Sequence, residues 1–121
     1  MQREACKYLH DIKQACDSVQ RYTAARTLED YLADDLLRSA VERQFGIVGE
    51  ALNQVLRLEP ELRDRIAKAR PFIAFRNVII HQYAAVQHDV VWSVVCRDLP
   101  ALLAEVSALL APPPAEMEDE A

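Results

Sequence analysis

Ala5, Leu9, Ile12, Cys16 and Val19 recur at spacings of four, three, four and three. That rhythm lays one apolar stripe along a helix and predicts a first helix over 2–22. A second helical pattern runs from Leu28 to about Leu58, with Leu36, Leu37, Ala40, Val41, Phe45, Val48, Leu52 and Val55 facing inward. Its weakest point is Asp34-Asp35, a candidate break. Thr27 followed by Asp30 has the form of a capping box, with Asp in place of the usual Glu. Pro60 is placed to open a short helix through ELRDRIAKA, and Pro71 to open the next. Proline is welcome there, because its missing N–H has no partner in a first helical turn. The pattern loosens over 84–87. His88 or Asp89 is a candidate cap for the last helix, whose inward side includes Val90, Val91, Val94, Val95, Leu99, Leu102, Leu103, Val106 and Leu109. Pro100 lies inside that pattern and is expected to kink or split it.

No stretch alternates with period two, and no internal repeat is visible. The expected fold is all-α, an antiparallel bundle of about five helices with short connections. It occupies residues 1–111. Residues 112–121 follow Pro112-Pro113-Pro114 with Glu116, Glu118, Asp119 and Glu120, and read as a disordered acidic tail. The chain's 2 glycines, Gly46 and Gly49, both fall inside the long helix. Each costs about 1 kcal/mol relative to alanine there. Close approach of another helix and simple tolerance are both open as reasons.

With 121 residues and 51% apolar content, the chain is long enough for one domain with one core. No apolar run approaches the roughly 20 residues of a membrane span, and the charged start lacks a signal peptide's apolar segment. A soluble cytoplasmic protein is the expectation. Cys6, Cys16 and Cys96 are odd in number and form no CxxC pair, which argues against a disulfide framework or a zinc site. The net charge of −5 argues against broad nonspecific binding of nucleic acid. Its distribution is uneven. Between Arg57 and Arg76, six basic side chains face three acidic ones, a net of +3. That window is either a solvated helix face or a local electrostatic guide.

No phosphate-cradling glycine loop, HExxH or GxSxG motif is present. The stretch FRNVIIHQY is the one place where polar groups crowd an apolar helix. Arg76 and Tyr83 are seven apart and project within about 20° of each other. His81 is five from Arg76, about 140° around the helix. Three arrangements would bring Arg76 and His81 to one phosphate. The helix distorts near His81, long side chains bend to a common groove, or two copies of the chain share a site about a twofold axis. Arginine's planar fork suits phosphate oxygens, and histidine transfers protons near neutral pH. Together they supply what RNA cleavage by its own 2′-OH requires.

Arg76-x4-His81-x-Tyr83 resembles the RX4HXY motif of the HEPN superfamily, in particular its HepT-type toxins. Val41-Glu42-Arg43-Gln44-Phe45 followed by Gly49-Glu50-Ala51 resembles the family's long second helix. Val91-Trp92 and Asp98-Leu99-Pro100 resemble its final helix, and the likeness covers about residues 3–110. The resemblance implies a homodimeric helical bundle and a metal-independent endoribonuclease with no cofactor. Arg76 and His81 would be catalytic, Asn77 would assist them, and Arg43 and Glu50 would line the cleft. The implied partners are RNA and a small nucleotidyltransferase antitoxin of the MNT type, which would add AMP to Tyr83. Gln82 and Ala84 depart from the glycine and the aromatic common at those positions, which leaves substrate choice open. A non-catalytic module that presents its groove to a nucleotidyltransferase is the alternative.

Overall fold

Asp34 divides what the sequence reads as one long helix. In the computed structural model, which describes residues 1–81 and 86–111, Asp34 is extended and its carboxylate accepts from the Leu37 N–H at 3.1 Å. Of Ile79, Ile80 and His81 only the backbone is described, and the proposed acidic tail 112–121 lies outside the described residues. The elements are α1 (Arg3–Thr23), α2 (Leu28–Ala33), α3 (Asp35–Leu58), a 3-10 turn (Pro60–Asp64), α4 (Ala69–His81), α5 (His88–Ser93) and α6 (Leu99–Leu110). A π turn over Val94–Asp98 joins α5 to α6 without a break, so the described residues form five rods. The fold is all-α, with no strand among the described residues. No helix among them is long and apolar enough to cross a membrane.

The local signals act as their chemistry requires. Thr27 Oγ1 accepts from the Asp30 N–H at 3.2 Å, and Asp30 Oδ2 accepts from the Thr27 N–H at 2.9 Å, closing the capping box. The apolar stripe of α1 is buried at every position from Ala5 to Val19. Cys16 lies in that stripe, and burial pushes its thiol up to about 12, which suits a packing residue rather than a nucleophile.

Four expectations are corrected. Pro60 does open a short helix, but it is a 3-10 turn that ends at Asp64, short of the expected ELRDRIAKA, and α4 begins at Ala69 rather than Pro71. Pro71 still sits in the first turn, where N–H groups have no intrahelical partner. Neither His88 nor Asp89 caps α5: Gln87 holds the N-cap position without a side-chain bond. Leu36 and Val90 point outward, 77% and 51% exposed. Pro100 does not split the last rod. It offers no N–H to the Cys96 carbonyl and crowds it, and the ladder ahead of it opens by one residue. The Leu99 N–H reaches back five positions to the Val94 carbonyl.

Two anchors set the direction of the rods. The Gln2 N–H donates to Glu59 Oε1 at 2.7 Å, tying the start of α1 to the end of α3. The Glu105 carboxylate of α6 accepts from the Ala67 and Lys68 N–H groups, both at 3.0 Å, and holds the chain where it enters α4. Phe45 of α3 stands edge-on to Phe72 and Phe75 of α4, with ring centroids 5.1 and 5.3 Å apart.

The two glycines have different reasons. A Cβ on Gly49 would stand 2.7 Å from the Phe72 carbonyl oxygen and 2.8 Å from Arg76 Cβ. Gly49 is therefore what lets α4 lie this close to α3. A Cβ on Gly46 would meet nothing within 4 Å. Gly46→Ala is expected to stabilise the protein by up to about 1 kcal/mol through helix propensity. Gly49→Ala should destabilise it by about 1–3 kcal/mol through overpacking. Urea midpoints of the two variants check the opposite signs.

Candidate active site

Close packing over Gly49 decides where Arg76 goes. Its Cβ lies against α3, and its guanidinium reaches Glu50, with Nη2 2.6 Å from Oε2. The pair is 28% and 46% exposed, so it is a partly solvated contact that leaves the rest of the guanidinium fork available. Glu50 belongs to a longer chain of polar contacts along one face of α3. Its Oε1 accepts from Gln54 Nε2 at 3.1 Å, and Gln54 Oε1 accepts from Arg57 Nε at 3.1 Å and Nη2 at 2.8 Å. The sequence spacing 50, 54, 57 puts these side chains on one face. Arg76 is thus held on the α3 side of its helix by a buttress of carboxylate, amide and guanidinium.

Asn77 is exposed and turns away from that network. It lines a hollow of about 490 Å³ beside the 3-10 turn, with Arg63 and Arg70 at its rim. Arg43 is exposed on α3 and shares with Glu50 and Gly46 a groove of about 530 Å³ facing α1. His81 is the last residue of α4. At helical spacing it falls on the side of Arg70 and Asn77, about 140° from Arg76. Tyr83, Gln82 and Ala84 lie outside the described residues. The structure therefore brings Arg76 to Glu50, and puts Asn77 and position 81 on another face of the same helix. Among the described residues no cluster of three His, Cys, Asp or Glu side chains is placed to hold a metal ion.

A second polar cluster lies between α2, α3 and α5. Tyr31 is fully buried, its ring 5.2 Å from Trp92 and 6.5 Å from His88. Burial, and then the Glu42 carboxylate, push its phenol above the usual range. Its hydroxyl has no hydrogen-bond partner among the described residues, and His88 Nδ1 stands 3.7 Å from Glu42. This cluster fastens α5 to α2 and α3. Periodicity did not single out Tyr31, because α2 is too short to show a stripe.

An all-helical domain carries an arginine and a histidine about 140° apart on one helix, residue types whose chemistry suits phosphodiesters. The comparisons narrow that class. The model of the family "Ribonuclease HepT-like" matches residues 12–109. A Thermococcus cleftensis protein named "Probable ribonuclease HepT" is 34% identical over 84% of this chain and 92% of its own length. A Caldanaerobacter subterraneus protein described as a candidate RNase is 29% identical over 85% of this chain and 91% of its own. A Methanocaldococcus jannaschii protein described as a gamma-glutamylcyclotransferase and candidate RNase is 28% identical over 91% of this chain. The chain spans 49% of that longer relative. No solved structure matches the chain significantly. The chain belongs to the HepT-like ribonuclease family, and ribonuclease activity is what that membership assigns to it.

Proposed function

We propose that the chain is a metal-independent endoribonuclease that works as a homodimer, with a composite site built from Arg76 of one copy and His81 of the other. The supporting observation is angular. Arg76 is drawn to the α3 side of α4 by Glu50, while position 81 lies about 140° away on the same helix. A twofold partner supplies the missing half without bending the helix.

In this reading His81 takes the proton of the ribose 2′-OH, and O2′ attacks phosphorus. Arg76 stabilises the extra negative charge on the phosphorane oxygens. A proton passes to O5′ as the P–O5′ bond breaks. The products are a 2′,3′-cyclic phosphate and a 5′-OH, so no water or metal enters the balance. Asn77, on the same face of α4 as position 81, orients the phosphate from the His81 side of the site. Glu50 keeps the guanidinium aimed through its buttress of Gln54 and Arg57, and Arg43 lines the adjoining groove.

Control by an MNT-type nucleotidyltransferase antitoxin completes the proposal, with the chain as the toxin of the pair. AMP on Tyr83, two residues beyond His81, would bring bulk and negative charge to the phosphate site and repel RNA. The partner-bound but inert module is a second reading, favoured by the neutralisation of Arg76 by Glu50. The two part on one assay. Purified protein free of any partner is incubated with RNA in excess EDTA. Cleavage at discrete positions is expected; intact RNA, with Tyr83 unmodified by mass spectrometry, overturns the nuclease.

A further inference from the structure

Arg70, Ala74 and Asn77 stand at spacings of four and three along α4, and position 81 follows at four. These positions share one helical face. Arg76 is not on it. Against this face, the 3-10 turn leaves the hollow of about 490 Å³, a size typical of ligand sites. Its floor is apolar, with Ile66, Ile73 and Ala74, and its rim is Arg63, Arg70 and Asn77.

The charge at that rim is uncommitted. Among the other cations of the basic window, Lys68 pairs with Asp98 at 3.3 Å, Arg76 pairs with Glu50, and Arg57 is bonded to Gln54. Arg63 and Arg70, and Arg65 outside the hollow's lining, are exposed and make no ion pair among the described residues. No acidic side chain lines the hollow, although Glu61 and Asp64 lie on the same turn. Two arginines, whose planar guanidinium forks suit phosphate, and an asparagine thus line a space with no acidic side chain in its lining, in a protein whose net charge is negative. The register then gives the hollow a direction. At 1.5 Å per residue, Asn77 precedes position 81 by about 6 Å along the axis and Arg70 by about 16 Å. A few nucleotides of extended strand cover that distance.

We propose that this hollow is a second phosphate subsite, which holds a phosphodiester of single-stranded RNA flanking the one that is cut. The Arg63 and Arg70 forks bind its oxygens, and the ribose or base lies on the floor of Ile66, Ile73 and Ala74. The subsite rests on the nuclease reading, because it assigns the strand that leads to His81.

The test measures binding, so that it does not depend on cleavage. Fluorescence anisotropy of a short single-stranded RNA is followed against salt for His81→Ala, and for the same protein carrying Arg63→Gln and Arg70→Gln. Both arginines are exposed, and circular dichroism checks that the fold is kept. Loss of two phosphate contacts should shift the slope of log K against log[salt] by about 1.4. In the cleaving protein, the same pair of substitutions should raise KM more than it lowers kcat. An unchanged slope overturns the subsite, including the case in which the hollow receives an acidic protein segment. If the slope shifts but wild type never cuts RNA, the subsite stands and the nuclease reading fails. If wild type cuts and the slope does not move, the reverse holds.

Discussion

His81→Ala is expected to lower the rate of RNA cleavage by about two to four orders of magnitude, the usual contribution of a positioned acid–base group. The loss should fall on the chemical step, so RNA should still bind. His81 closes α4, and alanine is the residue best accepted by a helix. The variant should therefore unfold at nearly the wild-type urea concentration. Single-turnover kinetics with a labelled oligonucleotide reads all of this. An equal rate in the variant would remove His81 from the mechanism.

Arg76→Ala should cost about 10²–10³ in kcat, the range for losing one preorganised donor to a transition-state oxyanion. Its effect on stability should be small. The bond lost, to Glu50, is partly solvated, and such pairs contribute about 0–1 kcal/mol. A large kinetic loss with a small change in urea midpoint is the signature of a catalytic arginine. Arg76→Lys sharpens it: lysine keeps the charge but not the fork, and should recover only part of the rate. Were Arg76 only a structural tie to α3, the stability would change and the rate would follow the folded fraction alone.

Local features were legible in the sequence. The capping box at Thr27, the break at Asp34 and the buried stripe of α1 each depend on residues within a turn or two of one another. Leu36 and Val90 misled, because apolar periodicity does not say where a rod lacks a neighbour. The weakening at Pro100 was legible but its form was not. A π turn and a split helix both relieve the same clash, and packing onto α1 keeps the rod whole.

The motif residues were legible, but their surroundings were not. Gly46 and Gly49 look alike in sequence, and only the path of α4 separates the one with no neighbour from the one under a helix backbone. The pairing of Arg76 with Glu50 bridges two helices, and the extension through Gln54 to Arg57 adds residues that no motif marked. In the same way, the basic window reads as six equivalent charges until the fold commits three of them, leaves Arg65 exposed and leaves Arg63 and Arg70 at one hollow. Such commitments are made by tertiary contacts, which spacing along the chain does not encode.

The measurement that bears most directly on the mechanism uses two RNA oligonucleotides in excess EDTA, identical except that one has a single 2′-deoxyribose at the position of scission. The account predicts that the all-ribose strand is cut there to a 2′,3′-cyclic phosphate and a 5′-OH, and that the substituted strand is left intact at that bond. Cleavage of both strands at that bond, or a 5′-phosphate on the product, would contradict it.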